Sequence, residues 1–248
     1  MTQQLDFLGT PTKPYAEQPS FWDSNFNLND HRRNTFTPTK VEKFFQSIDS
    51  AVIKTYSDYW KSITPNTDSE IFRRWLFAFL SVHTSWENNV KGYLLIRNWW
   101  EWLNNDAELE KRIIASGAGL QKNRVRYIST FAHNFWGNPD KFKRQDGEDC
   151  QLFRNRLVKD ILGLGMAKVS FSLEMITPLE TQVVCMDTHL FQVYGLDQTT
   201  GSKHYESMER HWIEMSKMWN VSPYIARCIW WDQNQDKTDS RYWSFTLE

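Results

Sequence analysis

The chain has 248 residues, 40% hydrophobic and 15% aromatic, with a formal net charge of −1. That is apolar material enough for one large domain or two small ones, and the near-neutral balance excludes a surface given over as a whole to a polyanion. No charged-then-apolar leader opens the chain, no apolar run approaches the ~20 residues of a membrane span, and the three cysteines are too far apart for a metal or redox motif, so a soluble cytoplasmic protein without metal is expected.

Residues 1–35 are polar with scattered aromatics and read as an arm pinned to the surface by Phe21, Trp22 and Phe26; residues 36–248 read as the folded domain. Five of the eight prolines fall at or before Pro65, and only Pro139 and Pro178 interrupt the stretch from there to Pro223, which leaves long spans free to be helical. Apolar residues recur at helical spacing in VEKFFQSIDSAVIKTYSDYW, EIFRRWLFAFLSVHTSW, NNVKGYLLIRNWWEWL, KNRVRYISTFAHNFW, CQLFRNRLVKDIL, AKVSFSLEMI, THLFQVYG and YESMERHWIEMSKMW. TQVVCM reads as a short extended piece. The expected fold is all-α, with about ten helices. Charge is uneven along it: residues 111–159 hold eleven Lys or Arg against four Asp or Glu, a local basic face that includes Lys122, Arg124 and Arg126.

In ILGLGMAKVSF, Gly163 and Gly165 flank Leu164 between two amphipathic segments. Both glycines are able to take positive φ and leave backbone N–H groups bare at the start of the next helix, where the helix dipole attracts a phosphate. An ordinary helix–helix turn has the same look. Asp187 stands where an N-cap belongs, directly ahead of THLFQVYG.

ILGLG followed by CMDTH resembles the signature of the helix-hairpin-helix DNA glycosylase superfamily, a Leu-Pro-Gly-Val-Gly hairpin followed by a Val-Asp-Thr-His segment. Upstream and in the same order, FLSVHTSWENNV is similar to the family's Leu-Ser-Gln-Gln-Thr segment and SGAGLQKNRVRYI to its Gly-x-Tyr-x-x-Lys-Ala segment, so the resemblance spans residues 70–196. It implies an all-α fold of two helical subdomains, about 71–165 forming the middle one, with an active-site cleft between them that receives a nucleotide extruded from double-stranded DNA. It implies a monomer without a cofactor. The four-cysteine iron–sulfur loop of many relatives has no counterpart in a C-terminal segment holding Cys228 alone.

Carried over residue by residue, the resemblance makes Asp187 the catalytic carboxylate, which stabilises positive charge on the sugar and directs a nucleophile. Gly163, Leu164, Gly165 and Ala167 grip the backbone together with Lys122 and Arg124. His83 falls at a gap-filling site, and Ser85 and Trp86 border the base pocket, core packing being the plainer role for Trp86. Bifunctional members carry a nucleophilic lysine two residues after the second glycine. Here that slot holds Ala167, and Lys168 is one step, ~100°, further round the helix, so a monofunctional enzyme is expected, with Lys168 as the alternative nucleophile if the hairpin carries an insertion. Small Ala167 and Ser170 leave room for a base with an added group. GLGMAKVSF, CMDTH and the C-terminal segment are also similar to glycosylase-like proteins of bacterial viruses that take part in thymine hypermodification, which implies a transferase on the same scaffold as a second alternative.

Overall fold

The computed structural model describes residues 38–234, and the expected N-terminal arm lies outside them. Among the described residues twelve α-helices and two short 3-10 turns form, and no strand. The all-α expectation therefore holds. By compactness the chain divides into two units.

The larger unit comprises, of the described residues, 49–185 and 222–234. It contains α2 (Ser50–Ser62), α3 (Asp68–Leu80), α4 (Trp86–Ile96), α5 (Asp106–Ser116), α6 (Gln121–Gly137), α7 (Cys150–Asp160), α8 (Met166–Ile176) and α12 (Pro223–Asn234). Its centre is α3. A capping box starts this helix: Thr67 accepts from the Glu70 amide while the Glu70 carboxylate takes the Thr67 amide. From Trp75 onward it is apolar all round, and Phe72, Trp75, Leu76, Phe77, Ala78, Phe79 and Leu80 are all buried. A helix of that kind has to be surrounded, and α4, α6 and α8 pack on it. Phe72 stacks on Phe131 of α6 at 5.7 Å between ring centroids. On another side of the unit, α2 meets α12 through Trp60 and Tyr224, 4.7 Å apart, and Tyr56 donates to buried Asp232 at 2.5 Å. The middle subdomain expected over 71–165 falls wholly inside this unit, which also takes in α2, α8 and α12.

The smaller unit comprises, of the described residues, 38–48 and 186–221, with α1 (Pro38–Ser47), α9 (Thr188–Val193), α10 (Gln198–Lys203) and α11 (Tyr205–Met218). Trp212 of α11 is fully buried between Phe44, stacked at 5.7 Å, and Phe45, edge-on at 5.0 Å.

One local reading is corrected. The single periodic run over 41–60 is two helices, because Asp49 accepts the Ala51 amide at 2.6 Å and starts α2 afresh. TQVVCM joins no ladder; the Cys185 amide donates to the Glu174 carboxylate instead, at 3.1 Å.

Candidate functional site

The hairpin belongs to the larger unit. α7 stops at Ile161, Leu164 is buried under the turn, and α8 begins after Gly165. Gly163 has φ +90°, a left-handed backbone that favours glycine, and an added Cβ would fall inside the Tyr127 ring of α6. Gly165 does not share that conformation. Its φ of −86° and ψ of 179° are open to any residue, and a Cβ there meets nothing within 4 Å. Its importance is therefore its bareness: no side chain caps α8, and the amides of Met166 and Ala167 donate to no atom of the described residues. An open approach to two bare amides on a helix dipole is a cradle for one anionic oxygen cluster.

Around the hairpin, Lys122 and Arg126 are exposed on α6, and the Arg126 guanidinium lies 4.9 Å from the centre of the Tyr127 ring. Arg124 is not part of this surface. It is 4% exposed, and its guanidinium donates to the carbonyls of Phe79, Leu80, Val82, Ala118 and Gly119. Every N–H of the fork is committed to backbone, and burial pulls its pKa below the ordinary arginine value. Arg124 is thus a brace between the turn after α3 and the loop before α6. The two stretches it braces each carry a non-glycine residue with left-handed backbone, His83 at φ 46° and Leu120 at φ 53°, and both side chains are exposed. Leu120 was not among the sequence candidates. Its signal, a leucine in a glycine-flanked loop ahead of a helix, acquires meaning only from its 50% exposure.

Ser85 is the N-cap of α4 and accepts the Asn88 amide at 3.3 Å. Trp86, half-buried, stands edge-on to Phe77 at 5.8 Å; Phe77 lies 6.1 Å from Phe171, and the Lys168 ammonium sits 5.6 Å from the Phe171 ring centre. Sequence-distant Trp86 and Lys168 are thereby joined in one aromatic cluster. Arg227 of α12 reaches the same Phe171 ring at 5.3 Å and is held in place by buried Glu174, which accepts at 2.7 and 3.0 Å. Lys168 makes no ion pair with the described residues. Ser170, expected to leave space beside the hairpin, is fully buried within hydrogen-bonding reach of Arg154, so it widens nothing.

Asp187 belongs to the smaller unit. It is the N-cap of α9, where one oxygen, Oδ1, accepts from both His189 N–H at 3.0 Å and Leu190 N–H at 3.1 Å. Its second oxygen accepts no hydrogen bond from the described residues, and the side chain is partly exposed. No group of three or more His, Cys, Asp or Glu is gathered among the described residues as a metal would need, and none of their helices is long and apolar enough to cross a membrane.

Solved structures share this fold. An 8-oxoguanine DNA glycosylase of Methanocaldococcus jannaschii matches with a TM-score of 0.62 and 19% identity, over 80% of this chain and 93% of that one. An 8-oxoguanine glycosylase/lyase of the same organism, in complex with a 15mer DNA containing 8-oxoguanine, gives 0.63 and 20%, over 81% and 97%. The 8-oxoguanine DNA glycosylase of Thermotoga maritima gives 0.64 and 16%, over 81% and 98%. No protein-family model and no curated protein matches the chain by sequence. At these identities the likeness is one of fold.

Proposed function

We propose that the protein is a DNA glycosylase-like enzyme that works as a monomer on a damaged or modified base extruded from double-stranded DNA, with Asp187 as its catalytic carboxylate and no efficient lyase step. The observation that carries this reading is the division of labour within Asp187: one oxygen is enough for the cap, and the other is left for chemistry. The fold it shares with enzymes named as 8-oxoguanine DNA glycosylases supports it.

In the proposed reaction the N-glycosidic bond breaks and the base leaves with its electron pair. The Asp187 carboxylate stabilises the cationic sugar and takes a proton from the water whose oxygen bonds to C1′. The hairpin holds a backbone phosphate on the Met166 and Ala167 amides, with Lys122 and Arg126 adding sequence-independent attraction that salt weakens. Exposed His83 and Leu120 are suited to filling the gap an extruded base leaves, and Trp86 to bordering the base. Lys168 keeps a second reading alive, because its ammonium lacks a carboxylate partner among the described residues and lies in the same cluster as Trp86.

The test is a panel of duplexes carrying thymine, uracil, 5-hydroxymethyluracil or 8-oxoguanine, with both base release and mass gain on the intact strand measured. Release is expected from a modified base, with a 5-substituted pyrimidine as the leading candidate. Asp187→Asn, whose amide oxygen still caps α9, should abolish release and keep affinity within a few-fold. Full activity of that variant removes Asp187 from the mechanism. Mass gain without release marks a transferase instead, and borohydride trapping that disappears in Lys168→Gln marks a bifunctional enzyme.

A further inference from the structure

We propose that Tyr205 is a positioning residue for Asp187, acting through the amide that precedes it; this rests on Asp187 being the catalytic carboxylate. Extended chain inside a helical protein has no ladder to satisfy its amides, so each buried N–H has to find an acceptor elsewhere. Met186 is 1% exposed, and its N–H donates to the Tyr205 hydroxyl oxygen at 3.2 Å. The hydroxyl belongs to the first residue of α11, nineteen positions along the chain.

The Tyr205 ring is itself held. It is 8% exposed and lies edge-on to Phe191 of α9, with 6.5 Å between centroids and 80° between planes. Gly201 of α10 closes against Phe191 so tightly that an added Cβ would fall inside that ring. Three helices of the smaller unit thus fix the hydroxyl that fixes Met186. The cap secures Asp187 Oδ1 to the start of α9, and the Tyr205 bond secures the backbone that enters Asp187. Together they tie down both the side chain and the backbone at Asp187. A catalytic group misplaced by 1 Å loses on the order of a hundredfold in rate, so a bond one residue away from the carboxylate bears directly on turnover.

Tyr205→Phe keeps the ring against Phe191 and removes the hydroxyl that accepts from Met186. In the full-length variant, hydrogen exchange of the peptide spanning 183–190 is expected to quicken at least tenfold, the rate-limiting chemical step to slow about tenfold or more, and the dissociation constant for the processed duplex to stay within about twofold. Phe45→Leu removes the edge-on contact to Trp212 in the same unit and leaves Tyr205 and Phe191 in place; it should lower the thermal midpoint with the chemical rate within about twofold of wild type. Unchanged exchange in Tyr205→Phe overturns the proposal, and so does an unchanged rate, or an equal slowing in Phe45→Leu. A wild type that processes none of the four duplexes overturns the proposed function; the exchange comparison then judges the Tyr205 hold by itself, faster exchange supporting it and unchanged exchange refuting it.

Discussion

A single methyl group distinguishes the two glycines of the hairpin. At Gly163 it would enter the Tyr127 ring on a backbone at φ +90°, whereas at Gly165 it would enter open space on a backbone any residue adopts. Gly163→Ala is therefore expected to lower stability by about 1–3 kcal/mol and to weaken DNA binding with it. Gly165→Ala should leave the thermal midpoint unchanged and weaken binding alone, because its Cβ intrudes on the approach to the Met166 and Ala167 amides. Thermal melts beside anisotropy titrations on one duplex check both, and equal melting of the two variants would show that Tyr127 yields. The motif treats these glycines alike. The difference comes from Tyr127, brought over Gly163 by α6.

At the scale of elements, α6 carries arginines of opposite use two residues apart, about 200° round the helix. Arg124 faces inward and spends its fork on five carbonyls of two loops, while Arg126 faces out. Arg124→Lys keeps the charge and loses the fork, leaving several buried carbonyls short of a donor. A loss of about 3–5 kcal/mol in chemical denaturation is expected. Lys122→Ala and Arg126→Ala should alter stability by about 0.5 kcal/mol or less and each flatten the salt dependence of DNA affinity by about one phosphate contact. A stable Arg124→Lys with a flattened salt slope would return Arg124 to the surface proposed to meet DNA. The basic run over 111–159 pointed to the right helix. It could not say which side of it faces the core, since apolar and basic residues alternate closely there.

For the whole molecule, the burial of His211 links folding to pH. The ring is 1% exposed, its Nδ1 lies 2.9 Å from the Tyr194 hydroxyl, and burial lowers its pKa to about 4. Between about 6.5, where the unfolded ring titrates, and about 4, the unfolded chain binds more protons than the folded one. The contribution is fully present above the unfolded value and is lost as pH falls toward the folded one. Unfolding free energy should decline by up to about 3 kcal/mol across that window, and His211→Gln should flatten this part of the profile. Denaturation at a series of pH values measures it; an unchanged slope in the variant would assign the acid sensitivity to other groups.

Helical periodicity, the hairpin and the cap before THLFQVYG are local properties of the chain. The all-α class, the start of α8 at the hairpin and the place of Asp187 at the head of α9 were accordingly legible without coordinates. Capping chemistry also fixes where helices break, but Asp49 was concealed in an unbroken apolar rhythm until its carboxylate was seen on the Ala51 amide. Burial and partnership depend on residues far apart in sequence, so tertiary structure alone decided that Arg124 is a brace, that Ser170 is core, that Trp86 and Lys168 share a cluster through Phe77 and Phe171, and that Tyr205 holds the amide ahead of Asp187. The physical reason is the same in each case: a sequence specifies which groups must be satisfied or covered, and only the folded chain supplies the groups that do it.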